Sequence, residues 1–141
     1  MIRYGKRNRN KLGNTTVTID GITFDSKKEG QRYSELRLLE RAGKISDLRL
    51  QVEYDLIPAH FEEVPTGEVY KRGEHMGEPK MKTVCVERAV SYIADFVYKE
   101  NGVEIVEDVK GFRDPECAAY KVFVLKRKLM LHKYGIRVRE I

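Results

Sequence analysis

Two acidic residues and a lysine lie close together in the segment YIADFVYKENGVEIVEDVKG, residues 92–111. The Asn-Gly pair at 101–102 separates two runs rich in Val, Ile, Phe and Tyr, and it predicts a two-residue β-hairpin because both turn positions need positive φ. With that turn, Asp95 lies opposite Asp108. Lys110 projects from the same face as Asp108, because side chains alternate along a strand. The sequence therefore predicts a patch of two carboxylates and one ammonium group.

Like charges that face each other across a hairpin destabilise it, so the pairing of Asp95 with Asp108 needs a reason. One interpretation is an ordinary network in which Lys110 neutralises Asp108. The other is hydrolysis of a phosphodiester, in which a divalent cation lowers the pKa of its bound water and neutralises phosphate oxygens. A site of carboxylates without histidine suits Mg²⁺. The compact ammonium group of lysine can orient the attacking water and stabilise developing charge.

Glu29 is a third candidate carboxylate, and two interpretations of it stay open. It lies three residues after Ser26, so the pair fits a capping box in which the glutamate reaches back to a backbone amide. It also lies one turn before Tyr33, on the helix face that must be buried, where a carboxylate needs a partner. In that case the start of the helix would bring Glu29 to the patch of Asp95 and Asp108.

The elements that must position these residues can be predicted from turn signals and periodicity. TVTIDGITF alternates around Asp20-Gly21, which indicates another hairpin. FDSKKEGQRYSELRLLERAGKI is a helix that Asp25 or Ser26 caps and Gly43 ends, with an apolar side formed by Tyr33, Leu36 and Leu39. ISDLRLQVEYDLIP then alternates as a strand. Residues 58–82 contain several prolines and glycines and no sustained period, which predicts a long loop or an irregular hairpin.

The second half of the chain completes the fold. TVCVERAVSYIADFVY is a strand with a bend near Arg88, and it leads into the hairpin of residues 92–111. PECAAYKVFVLKRKLMLHKYG is a second helix that ends at Gly135, and its predicted apolar stripe is Val122, Leu125, Leu129 and His132. IRVREI closes the chain as a short strand. The order helix, three strands, helix, strand predicts an α/β fold with a mixed central sheet flanked by helices.

The charge pattern favours a polyanionic partner. The chain of 141 residues has 27 Lys and Arg against 22 Asp and Glu, a net charge of +5. We expect one domain over residues 15–141 and a basic, flexible arm over residues 1–14. The candidate phosphate contacts are the cations of this arm and of the second helix: Arg3, Lys6, Arg7, Arg9, Lys11, Lys121, Lys126 and Arg127. Solvated surface charge is the plain alternative.

The sequence gives no indication of a zinc site, a membrane or export. Cys85 and Cys117 form no CxxC pair, and the three histidines have no zinc-ligand spacing, so we expect a reduced intracellular protein without structural zinc. The sequence has no apolar stretch of about 18 residues and no signal-peptide pattern, so neither a membrane nor export is predicted.

The order of the acidic motifs resembles that of a known superfamily. AD at 94–95 and DVKG at 108–111, with an acidic residue early in the preceding helix, resemble the PD-(D/E)XK nucleases. DGITFDSKKEGQRYSEL, LQVEYDL, YIADFVY, VEDVKGF and YKVFVLKRKLMLHKYG together resemble small phage-encoded nucleases related to Holliday-junction resolvases. The resemblance covers nearly the whole chain apart from residues 58–82. It implies a restriction-endonuclease-like core.

The resemblance also implies roles for individual residues. Asp95, Asp108 and Glu29 would be metal ligands, Lys110 the catalytic lysine, and Gln51 a residue that lines the site, although a plain strand glutamine is an equal alternative. Ala94 replaces the proline of the motif name. Asp108 stands where Glu is more usual, and its neighbour Glu107 is rejected because alternation puts it on the opposite face, unless the strand has a bulge.

The activity implied is a Mg²⁺-dependent DNA endonuclease, with Mn²⁺ able to substitute. The substrate would be branched DNA such as a Holliday junction, in phage recombination or replication in the cytoplasm of a bacterial host. A homodimer follows from the two-fold symmetry of such a junction. Two alternatives stay open: a nicking or repair endonuclease acting on flaps or duplex DNA, and a noncatalytic nucleic-acid-binding protein on a nuclease-like scaffold.

Overall fold

A computed structural model describes residues 15–141 of the chain, so the predicted basic arm lies outside the described residues. The elements, in chain order, are β1 (Val17–Ile19), β2 (Ile22–Phe24), α1 (Lys27–Arg41), β3 (Ser46–Ile57), β4 (His60–Val69), β5 (Pro79–Glu87), β6 (Val90–Glu100), β7 (Val103–Asp108), α2 (Ala118–Tyr134) and β8 (Arg139–Glu140). The described residues divide into two compact units, one that runs up to Val52 and continues from Ala94 to Ile141, and one formed by Glu53–Ile93.

The first unit contains a four-stranded sheet in the order β3-β6-β7-β8. Strands β6 and β7 are antiparallel, with a register that runs from Glu100 opposite Val103 to Phe96 opposite Glu107, as the sequence predicts. Strands β7 and β8 are parallel. The predicted α/β class with a mixed central sheet and two helices is therefore confirmed. The order differs, because the strand predicted over residues 83–98 is two strands, β5 and β6, in different sheets.

Helix α1 packs on the face of this sheet that carries Phe96, Tyr98 and Ile105. The Ser26 hydroxyl caps the helix by accepting a hydrogen bond from the Glu29 amide at 3.1 Å. Of the predicted apolar side, Tyr33 and Leu36 are buried, whereas Leu39 is 37% exposed.

The predicted hairpin β1–β2 forms, with positive φ at Asp20 and Gly21, and it lies against the same helix. Its contact with α1 is close at Gly30, where a Cβ atom would lie 2.5 Å from Cγ1 of Val17. A glycine at this helical position therefore allows the hairpin to approach the first turns of α1, which also carry Glu29.

A buried ion pair fastens α1 to β7. The Arg32 guanidinium donates two hydrogen bonds to the Glu107 carboxylate, at 2.9 and 2.7 Å, and Glu107 is fully buried. The Tyr98 hydroxyl donates a third hydrogen bond to Glu107 at 2.6 Å, and burial together with this carboxylate raises the pKa of Tyr98 to about 12. We name Arg32, Glu107 and Tyr98 the buried clamp. It joins the helix that carries Glu29 to the strand that ends in Asp108.

The second unit consists largely of the hairpin β4–β5. Its register has irregularities between His60 and Phe61 and between Pro65 and Val69. Of the two alternatives that the sequence left open for residues 58–82, the irregular hairpin is observed and the long loop is not. The predicted bend near Arg88 lies at the break between β5 and β6.

Helix α2 ends as predicted, because Gly135 adopts φ 68° and donates a hydrogen bond to the Leu131 carbonyl. Its predicted buried stripe is wrong. Phe123 and Met130 are buried, whereas Val122 is 53% and Leu125 58% exposed. Apolar residues occur on several sides of this helix, so the 3.6-residue period alone does not identify the side that faces the sheet. Neither helix among residues 15–141 combines the length and the apolar content needed to span a bilayer.

Candidate active site

Asp95 lies one residue beyond the last described rung of the β6–β7 ladder, Phe96 opposite Glu107. Its Oδ2 atom accepts a hydrogen bond from the Val109 amide at 2.8 Å. Its Oδ1 atom accepts one from the Gln51 side-chain amide at 3.1 Å. A side-chain carboxylate therefore binds the first amide after β7, and strands β3, β6 and β7 converge on it.

Gln51 has an unusual backbone for a strand residue. Its φ is 53°, in the left-handed region that favours glycine, and the other non-glycine residues with positive φ are Asp or Asn. Asp and Asn tolerate this region through local hydrogen bonds, whereas glutamine gains no such compensation. The prediction that Gln51 lines the site agrees with its contact to Asp95, and its backbone strain is the kind found at functional positions.

Glu29 fulfils both roles that the sequence left open, because it caps the start of α1 and also approaches Asp95. Its Oε2 atom accepts a hydrogen bond from the Asp25 amide at 3.0 Å, so the side chain reaches back across the start of the helix as a capping glutamate does. Its carboxyl group is also within hydrogen-bonding reach of Asp95. Glu29 is only 8% exposed. The start of α1 therefore brings a buried carboxylate to Asp95.

Two carboxyl groups held together away from water repel each other when both are charged. Burial and then the Glu29 carboxylate raise the pKa of Asp95 to about 7, while the hydrogen bonds from Val109 and Gln51 lower it. The raised pKa means that Asp95 retains a proton at pH values where an ordinary aspartate has lost it. The repulsion between Glu29 and Asp95 would be relieved by a proton or by a bound cation.

This raised pKa predicts a pH dependence of stability in the absence of divalent cations. Between about pH 4, the ordinary value of a carboxyl group, and about pH 7 the folded protein retains a proton on Asp95 that the unfolded chain releases. Raising the pH over this range therefore favours unfolding, and the free energy of unfolding falls until about pH 7. Urea titrations in a chelating buffer should show this fall in the wild type and a smaller one in Asp95→Asn. Identical profiles for both proteins would contradict the assignment.

Asp108 and Lys110 form an ion pair with Nζ and Oδ1 2.6 Å apart. Asp108 is buried, and the Lys110 ammonium lies 3.9 Å from the centroid of the Phe123 ring, a cation–π contact with α2. Asp108 and Lys110 therefore project from one face, as predicted. The ammonium group has a fixed position rather than an exposed, mobile one.

The backbone around this ion pair is held by residue 141 and by α1. The Lys110 amide donates to the Ile141 carbonyl at 3.1 Å, and the Ile141 amide donates to the Asp108 carbonyl at 2.9 Å. The Lys28 ammonium donates to the carbonyl oxygens of Lys110 and Ile141, at 2.9 and 2.8 Å. The residue before Glu29 thus ties the start of α1 to the segment of Asp108 and Lys110.

Glu107 takes no part in the candidate site. Its carboxylate is bound by Arg32 and Tyr98 on the α1 side of the sheet, and the ladder around it has no bulge. The choice of Asp108 over Glu107, which rested on alternation, agrees with this geometry. The role of Arg32 was not predicted from the sequence, although its position one turn after Glu29 on a buried face was a signal that it needs an acidic partner.

The predicted metal ligands are arranged as a pair and a third residue. Glu29 and Asp95 are neighbours, whereas Asp108 is bound to Lys110. In the part of the chain that the structure describes, no three His, Cys, Asp or Glu side chains form a group ready to hold a metal ion. A neighbouring pair of carboxylates nevertheless fits Mg²⁺, which takes only one or two carboxylates and keeps several waters. A cavity of about 370 Å³ beside Glu29, Ser26, Val109 and Gly111 offers room for such waters.

The predicted phosphate contacts are spread over two places. Arg3, Lys6, Arg7, Arg9 and Lys11 lie outside the described residues. On α2, Lys121 forms an exposed ion pair with Glu116, and Arg127 is bound to Glu140. Lys126 is partly buried. None of these three α2 residues contacts Asp95 or Lys110 among the contacts described above, so their role in DNA binding stays a prediction.

The chain was compared with protein families, curated proteins and solved structures. No curated protein and no solved structure matches it. A family model described as "Protein of unknown function (DUF1064)" matches residues 9–139, which include both helices and every candidate site residue from Glu29 to Lys110. The chain therefore belongs to this family.

Proposed function

We propose that the protein is a Mg²⁺-dependent DNA endonuclease with a restriction-endonuclease-like core, and that it hydrolyses phosphodiester bonds in branched DNA. The observation that carries the proposal is the convergence of Glu29, Asp95 and Gln51 at the point where β6 and β7 end their pairing. The amide that Asp95 binds belongs to Val109, which lies between Asp108 and Lys110 in the chain. Acids from a helix and two strands, with one lysine, are the groups that metal-assisted phosphodiester hydrolysis uses.

In this proposal Glu29 and Asp95 would hold the cation, and Asp108 would be a third ligand if its carboxylate released the Lys110 ammonium group. A cation held there would lower the pKa of bound water and neutralise phosphate oxygens. Gln51 and the Val109 amide hold the Asp95 carboxylate in place. Lys110 then has its ammonium group free to orient the attacking water and to stabilise charge on the phosphate.

The proposed substrate is a four-way DNA junction. The five cations before residue 12 would contact the phosphate backbone, and such contacts supply affinity without sequence information. Symmetric cleavage of a two-fold junction needs two active sites, so we propose a homodimer.

A comparison of DNA substrates tests this proposal. The wild-type protein would be incubated with a four-way junction, a flap and a linear duplex of matched sequence, with Mg²⁺ or Mn²⁺ and with a chelator. We expect cleavage only with the metal and fastest on the junction. Equal rates on all three substrates would contradict junction specificity while leaving the nuclease activity, and no cleavage of any substrate would contradict the activity itself.

A second candidate is a noncatalytic DNA-binding protein on the same scaffold. The specific observation in its favour is the Asp108–Lys110 ion pair, because a carboxylate neutralised at 2.6 Å fulfils a structural role without a metal. Calorimetric titration with Mn²⁺ distinguishes the two candidate functions. A nuclease site should bind Mn²⁺ with an affinity that Asp95→Asn lowers, whereas a structural network should bind no divalent cation at Asp95 in either protein.

A further inference from the structure

The exposed side of α2 carries a regular apolar stripe. Ala118, Val122, Leu125, Leu129 and His132 recur at alternating intervals of four and three residues, which is the a/d spacing of a coiled-coil seam. Val122 and Leu125 are more than half exposed, and the buried residues Phe123 and Met130 lie on the other side of the helix. We name these five residues the α2 seam. Apolar residues at this spacing are typical of a helix that packs against a second helix.

Lysines line both edges of the α2 seam. In the heptad set by the seam, four of the five flanking e and g positions of α2 are lysines, Lys121, Lys126, Lys128 and Lys133, and the fifth is Ala119. Residues 118–134 contain no Asp or Glu. Because e and g residues of one helix meet those of its partner, their charges decide which helix can pair.

The charges at these positions exclude the two partners that the chain itself could supply. A second copy of α2, parallel or antiparallel, would place lysines against lysines, and like charges at these positions oppose pairing. The N-terminal residues 1–14 carry five cations and no acidic residue, so they offer no complement either. Duplex DNA complements the lysines through its phosphates, but it has no apolar surface to cover Val122 and Leu125.

We infer that the α2 seam docks an amphipathic helix of another protein, with apolar residues on one face and Glu or Asp along both edges of that face. The apolar seam supplies the contact area and the lysines select the charge of the partner. The candidate active site lies elsewhere, because Lys110 contacts the buried side of α2 through Phe123. A bound helix would therefore leave the site accessible, and the surface would recruit the protein to a larger assembly.

Fluorescence anisotropy with designed peptides tests the inference on the full chain. The probe is a peptide of about 20 residues, long enough to form a helix, with Leu at positions a and d and Glu at e and g. The matched peptide carries Lys at e and g. We expect the Glu peptide to bind, binding to weaken with salt, and the Lys peptide not to bind. Leu125→Glu should weaken binding by about 10-fold or more.

Leu131→Glu is the matched control, because Leu131 is a leucine of the same helix, 47% exposed and outside the seam. It should bind the Glu peptide as the wild type does. Equal binding of both peptides, equal losses in the two variants, or no binding of the Glu peptide would each overturn the inference.

Two further measurements on Leu125→Glu test whether a second copy of the chain or duplex DNA occupies the α2 seam instead. A dimeric wild type that becomes monomeric in this variant would assign the seam to a second copy and overturn the inference, as would a matching loss of affinity for duplex DNA. Metal-dependent DNA cleavage by Leu125→Glu should be unchanged, so this result is independent of the proposed nuclease activity.

Discussion

Asp108→Ala should abolish metal-dependent cleavage of branched DNA and leave DNA binding intact or tighter. The proposed mechanism uses this carboxylate to hold the metal, and loss even of a residue that only supports a metal ligand typically costs about 10- to 100-fold in metal affinity or activity. Binding should not weaken, because removal of a carboxylate reduces the repulsion of phosphate. Gel assays of cleavage and of binding in a chelating buffer measure the two effects separately.

Glu104→Ala is the control for this experiment. Glu104 is in the same strand, but its side chain is 36% exposed and pairs with Arg49 at the surface. Exposed ion pairs contribute little, so this variant should cleave DNA as the wild type does. Equal cleavage by Asp108→Ala and the wild type would refute the assignment of the site. Circular dichroism should verify that both variants are folded.

Arg32→Ala should strongly destabilise the first unit. It leaves the Glu107 carboxylate fully buried without its guanidinium partner, and removal of one member of a buried ion pair costs about 3–5 kcal/mol. Chemical denaturation measures the change in the free energy of unfolding. Arg37→Ala on the same helix removes a more exposed pair with Glu40 and should cost less than about 1 kcal/mol.

The origin of this loss can be tested with a compensating replacement. Arg32→Met combined with Glu107→Leu and Tyr98→Phe removes every polar group of the buried clamp, and burial of apolar residues in place of an ion network is often neutral or stabilising. This triple variant should recover most of the stability that Arg32→Ala loses. A triple variant as unstable as Arg32→Ala would show that packing and not the unpaired charge causes the loss.

The parts of the fold that depend on local chemistry could be predicted from the sequence. The Asn-Gly pair at 101–102 determines the β6–β7 register as far as Phe96 opposite Glu107. The next predicted pair, Asp95 opposite Asp108, is not part of that register, and Asp95 instead accepts a hydrogen bond from the Val109 amide. The Ser26 cap and the Gly135 terminator followed from residues with a specific backbone role. Such signals act over a few residues, and the chain alone contains what decides them.

The parts that depend on distant packing could not be predicted. Val122 and Leu125 are as apolar as Phe123 and Met130, so only the sheet decides which side of α2 is buried. For residues 58–82 the sequence left a long loop and an irregular hairpin both open, because Pro65 and Gly67 lie at a register shift between the two strands. The contact of Glu29 with Asp95 depends on the angle between α1 and the sheet, so the sequence offered it only as one of two interpretations.

Gln51 illustrates a cost that the candidate site imposes on the rest of the molecule. A left-handed backbone at a residue other than glycine stores about 1–2 kcal/mol, and at φ 53° Gln51 holds its amide on Asp95 under that strain. Glycine would relax the strand and lose the amide. Selection for thermal stability would therefore favour glycine at residue 51, whereas selection for catalytic turnover would favour glutamine.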